Sequence, residues 1–278
     1  ITFEMNYNEG KLNGQTIQYY KNGNIKQKLN FKNGLRYGES IEYYKNGMIL
    51  YKGEFNKGKE NGKIIEYYEN GNIKVEGEMK NGVPFKEFIQ YFENGKIKLT
   101  GKYENGMVDG LVIEYYENGN ISKKIFYKNG KMNGEGQEYF RNGEIKQELY
   151  YKDEKLNGEQ IKYHTNGNIQ SKITFINDLK DGPGIDYYES GQIYEIYNYK
   201  NGKPHGPRIQ YYENGNLLLK DNWINGKLNG EIVKYYESGQ ISYLCNYKEG
   251  LENGICSSYY SNGRIMLEKE FKDGVHVE

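Results

Sequence analysis

The feature that most constrains this chain is a repeat of 24 residues, seen most clearly in the segment YYENGNI at 67–73. A tyrosine opens the segment in every period, at positions 19, 43, 67, 91, 115, 139, 163, 187, 211, 235 and 259. Self-similarity at a fixed period indicates a repeat array, in which each unit buries its apolar side only against its neighbours. We therefore predict a single repeat domain over 1–278, with 11 periods of 24 residues in 1–264 and a partial twelfth in 265–278.

Apolar and polar residues alternate within each period, which is the pattern of a β-strand. Counting from the leading tyrosine as position 0, position −2 is Ile or Val in nine periods and position +6 is Ile or Leu in all 11. Position +12 is aromatic in every period except that of Met79. Glycine-rich turns interrupt the pattern every nine to twelve residues, so that each period holds two strands and no helix.

The first turn of each period reads ENGN or a close variant, with glycine at position +4 in all 11 copies. Asn-Gly between alternating segments is a strong hairpin signal. A three-residue loop, made of a type I turn and a glycine bulge, puts positions −2, 0, +6 and +12 on one face, whereas a two-residue loop separates them. We therefore predict that Tyr67 lies on the buried face and Tyr68 on the opposite face. The residues expected beside Tyr67 are Ile65, Ile73 and Met79.

The second turn, NGKLNG at 225–230, is a longer hairpin loop. Two glycines four residues apart indicate two backbone sites that need a positive φ or a close approach. Each period is then one hairpin, and successive hairpins continue one antiparallel meander. Three segments depart from this loop pattern, near Pro84, Asp178 and Pro204, and there we expect a bend or a distinct loop.

The order of these motifs, YYxNG, then an aromatic residue and then NGKxxG, resembles the MORN repeat variant of bacterial proteins over the whole chain. The resemblance implies an all-β fold: an elongated single-layer antiparallel β-meander of tandem 24-residue hairpins, shaped as an open twisted rod or half-pipe. The unpaired end strands of such a sheet allow end-to-end self-association of copies. The resemblance also implies an alternative function, because bacterial proteins of this kind are often described as antitoxins.

The chain carries 38 basic and 38 acidic residues, which alternate without forming blocks. This balance argues against nucleic acid as the main partner. It also argues against strong binding to an anionic membrane, and no apolar run reaches the roughly 18–20 residues of a membrane span. The abundance of Lys, Asn, Ile and Tyr indicates an AT-rich, bacterial source, with the protein either cytoplasmic or exported with its leader removed.

Aromatic residues outside the face that holds the array together are the candidates for binding a protein partner. They fall into two groups: the second ring of the tyrosine pair, and rings at positions that vary between periods. The candidates are Tyr68, Tyr116, Tyr188, Tyr212, Phe126, Tyr150, Tyr194 and Tyr197. A structural alternative stands beside each group, since second rings stack on their neighbours in a repeat array and variable rings arise by repeat drift.

No combination of residues in the sequence predicts catalysis, a cofactor or a metal. The three histidines, His164, His205 and His276, stand in different periods and lack the spacing of metal ligands. By the register above, Cys245 and Cys256 point to opposite faces, so that neither a disulfide nor a metal pair is expected. The NGKxxG loops lack the following helix that a phosphate site needs.

The function that we predict is a non-enzymatic repeat scaffold that mediates protein–protein interaction through an extended Tyr-rich β surface. The sequence does not identify the protein partner. One alternative is an antitoxin or immunity protein that neutralises a bacterial toxin. A further alternative is a secreted or cell-surface adhesion-type protein.

Overall fold

The computed structural model of the protein describes residues 2–277, and the regular structure in this range is β-strand. The strands follow from the alternation of apolar and polar side chains, and glycine turns end them. Over the same range, no helix is long and apolar enough to cross a membrane. The prediction of an all-β fold is confirmed.

Each period contributes an outgoing strand of eight residues that begins at position +6. The outgoing strands are Ile25–Lys32, Ile49–Asn56, Ile73–Lys80, Ile97–Glu104, Ile121–Lys128, Ile145–Lys152, Ile169–Ile176, Ile193–Lys200, Leu217–Ile224, Ile241–Lys248 and Ile265–Lys272. Because they start at the same position in every period, the glycine turn before them sets the beginning of the strand.

A return strand leads back to the next leading tyrosine, and it is either continuous or interrupted after two residues. The continuous return strands are Lys59–Tyr67, Val83–Tyr91, Lys131–Tyr139 and Leu179–Tyr187. The interrupted ones are Lys11–Leu12 with Gly14–Tyr19, Leu35–Arg36 with Gly38–Tyr43, Met107–Val108 with Gly110–Tyr115, Lys155–Leu156 with Gly158–Tyr163, Lys203–Pro204 with Gly206–Tyr211, Lys227–Leu228 with Gly230–Tyr235, and Leu251–Glu252 with Gly254–Tyr259. The remaining strands within residues 2–277 are three short ones: Phe3–Glu4, Tyr7–Asn8 and Val275–Val277.

The chain consists of two compact units. The described residues of the first unit are 2–134 with 141–143, and those of the second are 135–140 with 144–277. A single domain over the whole chain therefore stays a prediction.

Within each unit, strands that follow one another in sequence pair with one another. In the first unit, Ile25–Lys32 pairs antiparallel with Gly14–Tyr19 before it and with Gly38–Tyr43 after it. In the second unit, Ile241–Lys248 pairs in the same way with its neighbours on both sides. The predicted antiparallel meander of tandem hairpins is confirmed in both units.

The first turn of each period has the three-residue loop that the sequence predicts. In the period of Tyr67, the N–H of Tyr68 donates to the carbonyl of Asn72 at 2.8 Å. The N–H of Gly71 donates to the carbonyl of Tyr68 at 2.9 Å. Gly71 has a φ of 89°, the left-handed conformation that closes a type I turn with a glycine bulge.

A second bulge, which the sequence pattern does not reveal, follows directly after this loop. Tyr67 pairs with Ile73, whereas the residue before Tyr67 pairs with Val75, so that the outgoing strand has one extra residue at position +7. Because side chains alternate, the extra residue moves position +8 and every later position of the strand to the other face. Met79 therefore pairs with Gly62 on the face opposite Tyr67. The prediction that positions −2, 0, +6 and +12 share one face is wrong for position +12.

The core lies on the face made of positions −3, −1, +8, +10 and +12, which we call the buried face from here on. The prediction that Tyr67, at position 0, lies on the core face is therefore wrong, since positions −2, 0 and +6 share the opposite face. The buried apolar side chains at positions −3 and +10 have at most 8% of their surface exposed. They are Leu29, Val112, Ile125, Leu149, Ile173, Ile232, Cys245 and Cys256. Positions −3 and +10 are paired across neighbouring strands, as Val112 is with Ile125, so the core is a row of opposed pairs.

Some of these opposed pairs combine a large side chain with glycine. Phe88 faces Gly101, and a Cβ added to Gly101 would lie 2.6 Å from a ring carbon of Phe88. Gly184 faces Tyr197, where an added Cβ would overlap the ring. Glycine is required at these two positions because the opposed ring already occupies the space of a side chain.

Cys245 and Cys256 form a disulfide on the buried face, with their Cα atoms 4.2 Å apart. Leu244 pairs with Ser257, so the two cysteines stand opposite each other on adjacent strands. The prediction that they point to opposite faces, and therefore do not pair, is wrong. The second bulge is the reason, because it brings position +10 to the same face as position −3 of the next period.

Two of the three second turns that were expected to differ keep a hydrogen bond of the other periods. The N–H of Asp178, which stands where most periods have glycine, donates to the carbonyl of Leu156 at 2.9 Å. Asp178 adopts the left-handed conformation itself, with a φ of 68°. Pro204 accepts the corresponding bond from Gly226 at 2.8 Å, and Pro84 lies within a continuous return strand. Asp178 and Pro204 therefore substitute into the common loop without forming a distinct one, whereas the segment of Pro84 differs in that Lys86 adopts a φ of 61°.

Candidate functional site

The second ring of the tyrosine pair joins one hairpin to the next. Its hydroxyl donates to the backbone carbonyl of the leading tyrosine in the following period, at 2.8 Å from Tyr68 to Tyr91 and from Tyr188 to Tyr211. The residues that make this bond are Tyr20, Tyr44, Tyr68, Tyr188, Tyr212 and Tyr236. Their rings are half-buried, so these tyrosines hold the array together.

Among the candidates at this position, Tyr68, Tyr188 and Tyr212 all make the bond to the next period. Tyr116 lies beneath the guanidinium of Arg141, 5.7 Å from the ring centre. A partner-binding role for these four rings stays a prediction. Each ring also makes a contact within the array, which supports the alternative that these residues have a structural role.

The aromatic residues at variable positions lie in different surroundings. Phe126 is 44% exposed in the first unit and Tyr150 is 46% exposed in the second, both at position +11 on the face opposite the core. Tyr194, at the second bulge, packs edge-on against Tyr188 with ring centres 5.2 Å apart. Tyr197 is the one of these four that lies on the buried face, where it lines a cavity.

This cavity, in the second unit, has a volume of about 260 Å³. Among the residues that line it are Asp186, Glu195, Tyr197, Arg208 and Trp223. Trp223 is the only tryptophan of the chain. All five stand at positions of the buried face. Arg208 and Tyr197 occupy positions −3 and +10, which in several other periods hold Leu, Ile or Val, whereas position −1, that of Asp186, is polar in every period. We call these five residues the charged cavity.

One wall of the charged cavity is formed by Arg208, which is half-buried and pairs with the buried carboxylate of Asp221. Arg208 and Asp221 are opposed across adjacent strands, and the Nε of Arg208 donates to Oδ1 of Asp221 at 3.0 Å while a second guanidinium nitrogen contacts Oδ2. The indole N–H of Trp223 donates to Oδ1 of Asp221 at 2.9 Å. The Arg208 guanidinium also lies 5.2 Å from the Trp223 ring. Asp221 is thus a fully paired charge, as a carboxylate with 5% exposure must be.

Two carboxylates form the other wall. Asp186 and Glu195 stand directly opposite each other on adjacent strands, an arrangement in which like charges repel. Burial raises the pKa of both carboxyl groups. Tyr197 donates to Asp186 at 3.0 Å and Gln210 donates to Glu195 at 3.0 Å. These hydrogen bonds stabilise the ionised forms but do not cancel the cost of burial.

Sequence reasoning found Tyr197 but missed Arg208, Asp221 and Trp223. Arg208 and Asp221 stand at positions −3 and +10 of one period, and opposite charges at these two places are the signal that marks a pair. The signal becomes readable only when positions −3 and +10 are known to face each other. That knowledge depends on the second bulge.

Within residues 2–277, one group of three side chains has metal-ligating atoms close together. It consists of Cys245, Glu252 and Cys256, whose sulfur and carboxylate atoms all lie within 4.8 Å of one another. In the disulfide form the two sulfur atoms have no thiolate to offer a metal.

Comparison with solved structures finds weak likenesses to toxin complex proteins. The crystal structure of TcdB2-TccC3 is 12% identical with a TM-score of 0.20, and the match covers 97% of this chain and 18% of that one. A structure of the Photorhabdus luminescens Tc holotoxin pore is also 12% identical, with a TM-score of 0.19. This match covers 98% of this chain and 18% of the other. The chain thus spans less than a fifth of these proteins, and similarity at this level carries no argument. No curated protein matches the chain.

The family comparison is specific and covers the whole array. The model of the MORN repeat variant matches residues 12–33, 36–57, 60–81, 86–105, 108–129, 132–153, 156–177, 180–201, 204–225, 228–249 and 252–273. Each matched segment contains a return strand, the Asn-Gly loop and the outgoing strand, which together are one hairpin of the structure. The chain belongs to the MORN repeat variant family.

Proposed function

We propose that this protein is a non-enzymatic repeat scaffold that binds a protein partner, and that the charged cavity of the second unit is the place of contact. The observation that carries this proposal is the grouping of Trp223, Arg208 and Tyr197 around one cavity. Trp, Arg and Tyr are the residue types that dominate the binding energy of protein interfaces, and they do so in pockets that exclude water.

The charged residues of the cavity support a role beyond stability. A partly buried ion pair such as that of Arg208 and Asp221 is weak evidence for stability, because well-packed apolar residues often replace it without loss. Other periods use apolar residues at these same two positions, for example Val112 with Ile125. The opposed carboxylates Asp186 and Glu195 act against stability as well. A binding role explains the whole set.

The tyrosine surface contributes to this proposal mainly as a framework. The hydroxyl groups of the second rings form hydrogen bonds between periods, so the repeated tyrosines hold the cavity residues at fixed spacing. Specificity for the partner then depends on the positions that differ between periods, of which Trp223 and Arg208 are the most distinctive.

Site-specific photo-crosslinking tests the proposal. Tyr199, which lines the cavity, is replaced by p-benzoylphenylalanine, and Phe271, at the same repeat position in the same unit, is the matched control. In cells that express the protein, we expect one partner to be captured from position 199 and not from position 271. Equal capture at both positions, or none at 199, would overturn the proposal.

The captured partner then allows a quantitative check. Trp223→Leu should weaken its binding roughly tenfold or more, whereas Ile224→Ala, at an exposed neighbouring position, should leave it unchanged. The identity of the partner also separates the alternatives. A toxin would support an antitoxin or immunity role, and an extracellular ligand would support adhesion.

A further inference from the structure

We propose that Cys245, Glu252 and Cys256 form a redox-gated zinc site, in which the reduced cysteines and the carboxylate bind one Zn²⁺ ion. The disulfide and the zinc complex are two alternative states of the same pair of sulfur atoms. This inference is independent of the charged cavity and of the proposed protein partner.

The fold places the three ligands on one side of an outgoing strand and of the interrupted return strand that pairs with it. Cys245 lies in Ile241–Lys248 and stands opposite Cys256 on the buried face, with 4.2 Å between their Cα atoms. Glu252 pairs with Tyr247 of the same outgoing strand. Tyr247 is two residues beyond Cys245, and side chains two apart share a face of a strand. The register therefore converges two sulfur atoms and one carboxylate without any movement of the backbone.

The distances suit a single ion. Zinc binds thiolate sulfur at about 2.3 Å and carboxylate oxygen at about 2.0–2.2 Å, so ligand atoms around one tetrahedral ion lie about 3.3–3.8 Å apart. The three ligand atoms here lie within 4.8 Å of one another, and small rotations of the side chains bring them to that spacing once the S–S bond is absent. Three protein ligands leave a fourth position for water or a partner's ligand.

Two tyrosines orient the carboxylate. The hydroxyl groups of Tyr243 and Tyr247 donate to the same oxygen of Glu252, at 3.2 Å and 3.1 Å. Hydrogen bonds of this kind to a metal-binding carboxylate fix its direction and raise its affinity for the ion.

The surroundings favour metal over a free dithiol. Cys245 is fully buried and Cys256 is 6% exposed, and burial in apolar surroundings disfavours an isolated thiolate. Ile232 is opposed to Cys245 and Lys269 is opposed to Cys256. A Zn²⁺ ion bound by both sulfur atoms compensates their negative charge within the core.

The interconversion balances as follows. A phosphine reductant supplies two electrons and takes the oxygen atom of one water to become the phosphine oxide, and the two protons of that water convert the S–S bond into two thiols. Zinc then displaces both thiol protons and binds the two thiolates. In the reverse direction, a disulfide oxidant accepts two electrons from the two sulfur atoms, the S–S bond forms and Zn²⁺ is released.

Metal titration of the full chain tests the proposal. The protein is reduced with a phosphine, freed of reductant under nitrogen and titrated with Zn²⁺, and bound metal is measured after dialysis. We expect one Zn²⁺ per chain in the reduced form and none in the oxidised form. With Co²⁺ as the probe, the reduced protein should show a thiolate-to-cobalt charge-transfer band. Circular dichroism before and after reduction confirms that the fold is retained.

Variants separate a built site from simple thiol binding. Glu252→Gln keeps both cysteines and should weaken zinc binding roughly tenfold or more, whereas Glu231→Gln, at an exposed position of the same unit, should not change it. The double variant Cys245→Ser and Cys256→Ser should bind no zinc. If the reduced wild-type protein binds no more zinc than this double variant, or if Glu252→Gln binds as tightly as wild type, the proposal is wrong.

Discussion

At the scale of the residue, the hydroxyl group of the second tyrosine is the contact that joins successive hairpin loops. In the period of Tyr67, Tyr68 donates to the carbonyl of Tyr91 at 2.8 Å. We expect Tyr68→Phe to lower the free energy of unfolding of the first unit by about 1 kcal/mol. The reason is that the carbonyl of Tyr91 loses its donor while the packing of the ring is kept. Urea denaturation followed by circular dichroism measures the loss.

Tyr260→Phe is the control for this change. Tyr260 holds the same position in its period, but its side chain is exposed, so removal of its hydroxyl should leave the stability within about 0.5 kcal/mol of wild type. A loss as large as that of Tyr68→Phe would show that the effect does not come from the bond between periods.

The loop around Tyr68 was predictable from the sequence, but the role of its hydroxyl was not. Asn-Gly with glycine in every copy demands a left-handed residue, and Gly71 has the φ of 89° that the pattern implies. The acceptor of the Tyr68 hydroxyl, in contrast, is a backbone carbonyl 23 residues away. Every residue has such a carbonyl, so no side-chain pattern marks the acceptor.

At the scale of the element, the second bulge decides which residues form the core. Ile173, at position +10, has 4% of its surface exposed, whereas Ile193, at the position +6 that the sequence assigns to the core, has 37% exposed. We expect Ile173→Ala to cost about 2–4 kcal/mol, because it leaves a cavity in the buried face. Ile193→Ala should cost less than about 1.5 kcal/mol, since much of its side chain already contacts water. Urea denaturation of the two variants decides between the registers, and equal losses would contradict the structure.

The position of this second bulge could not be read from the sequence because it has no residue signature. The first bulge needs glycine, but position +7 holds Lys26, Leu50 and Tyr194 in different periods. The missed bulge accounts for two errors together, the face of the aromatic at +12 and the separation of Cys245 from Cys256. It also hid the charged cavity, because the predicted register separates Arg208 and Asp186 from Glu195, Tyr197 and Trp223 by placing them on opposite faces.

The opposed carboxylates of the cavity make the second unit sensitive to pH. Burial raises the pKa of Glu195, so the folded chain binds this proton more tightly than the unfolded chain. The stabilisation from this proton is present at low pH and is lost as the pH rises from the ordinary carboxyl value of about 4 through the raised one. Glu195→Gln removes the charge, and we expect its advantage over wild type to grow with pH, reaching about 0.5–1 kcal/mol at neutral pH.

Urea denaturation of wild type and Glu195→Gln at a series of pH values measures this advantage. Glu213→Gln, at an exposed position of the same unit, controls for the change in net charge and should show no pH-dependent gain. If the advantage of Glu195→Gln shrank as the pH rose, the burial of an ionised carboxylate at position 195 would not be the cause.

At the scale of the whole molecule, the 24-residue period itself was fully predictable, since a leading tyrosine stands at a constant spacing in 11 copies. The period carries the architecture because each hairpin packs mainly against its neighbours in sequence. The division of the chain into two compact units was not predictable. The repeat pattern continues through residues 134–144 without a change in composition that would mark a boundary.

The dominance of the period leads to a prediction about deletions. Removal of residues 53–76 joins Lys52 to Gly77, at consecutive repeat positions +9 and +10, and takes out 24 residues. We expect this variant to fold into the same antiparallel meander, with a urea m-value lower by about a tenth, because about that share of the buried surface is lost.

Removal of residues 53–75 instead joins Lys52 to Glu76, both at position +9, and leaves one extra residue in the outgoing strand. That residue turns the following side chains to the wrong face. This shorter deletion should therefore lose several kcal/mol or unfold its period, as measured by urea denaturation and hydrogen exchange. Equal stability of the two deletions would show that the fold does not depend on the period.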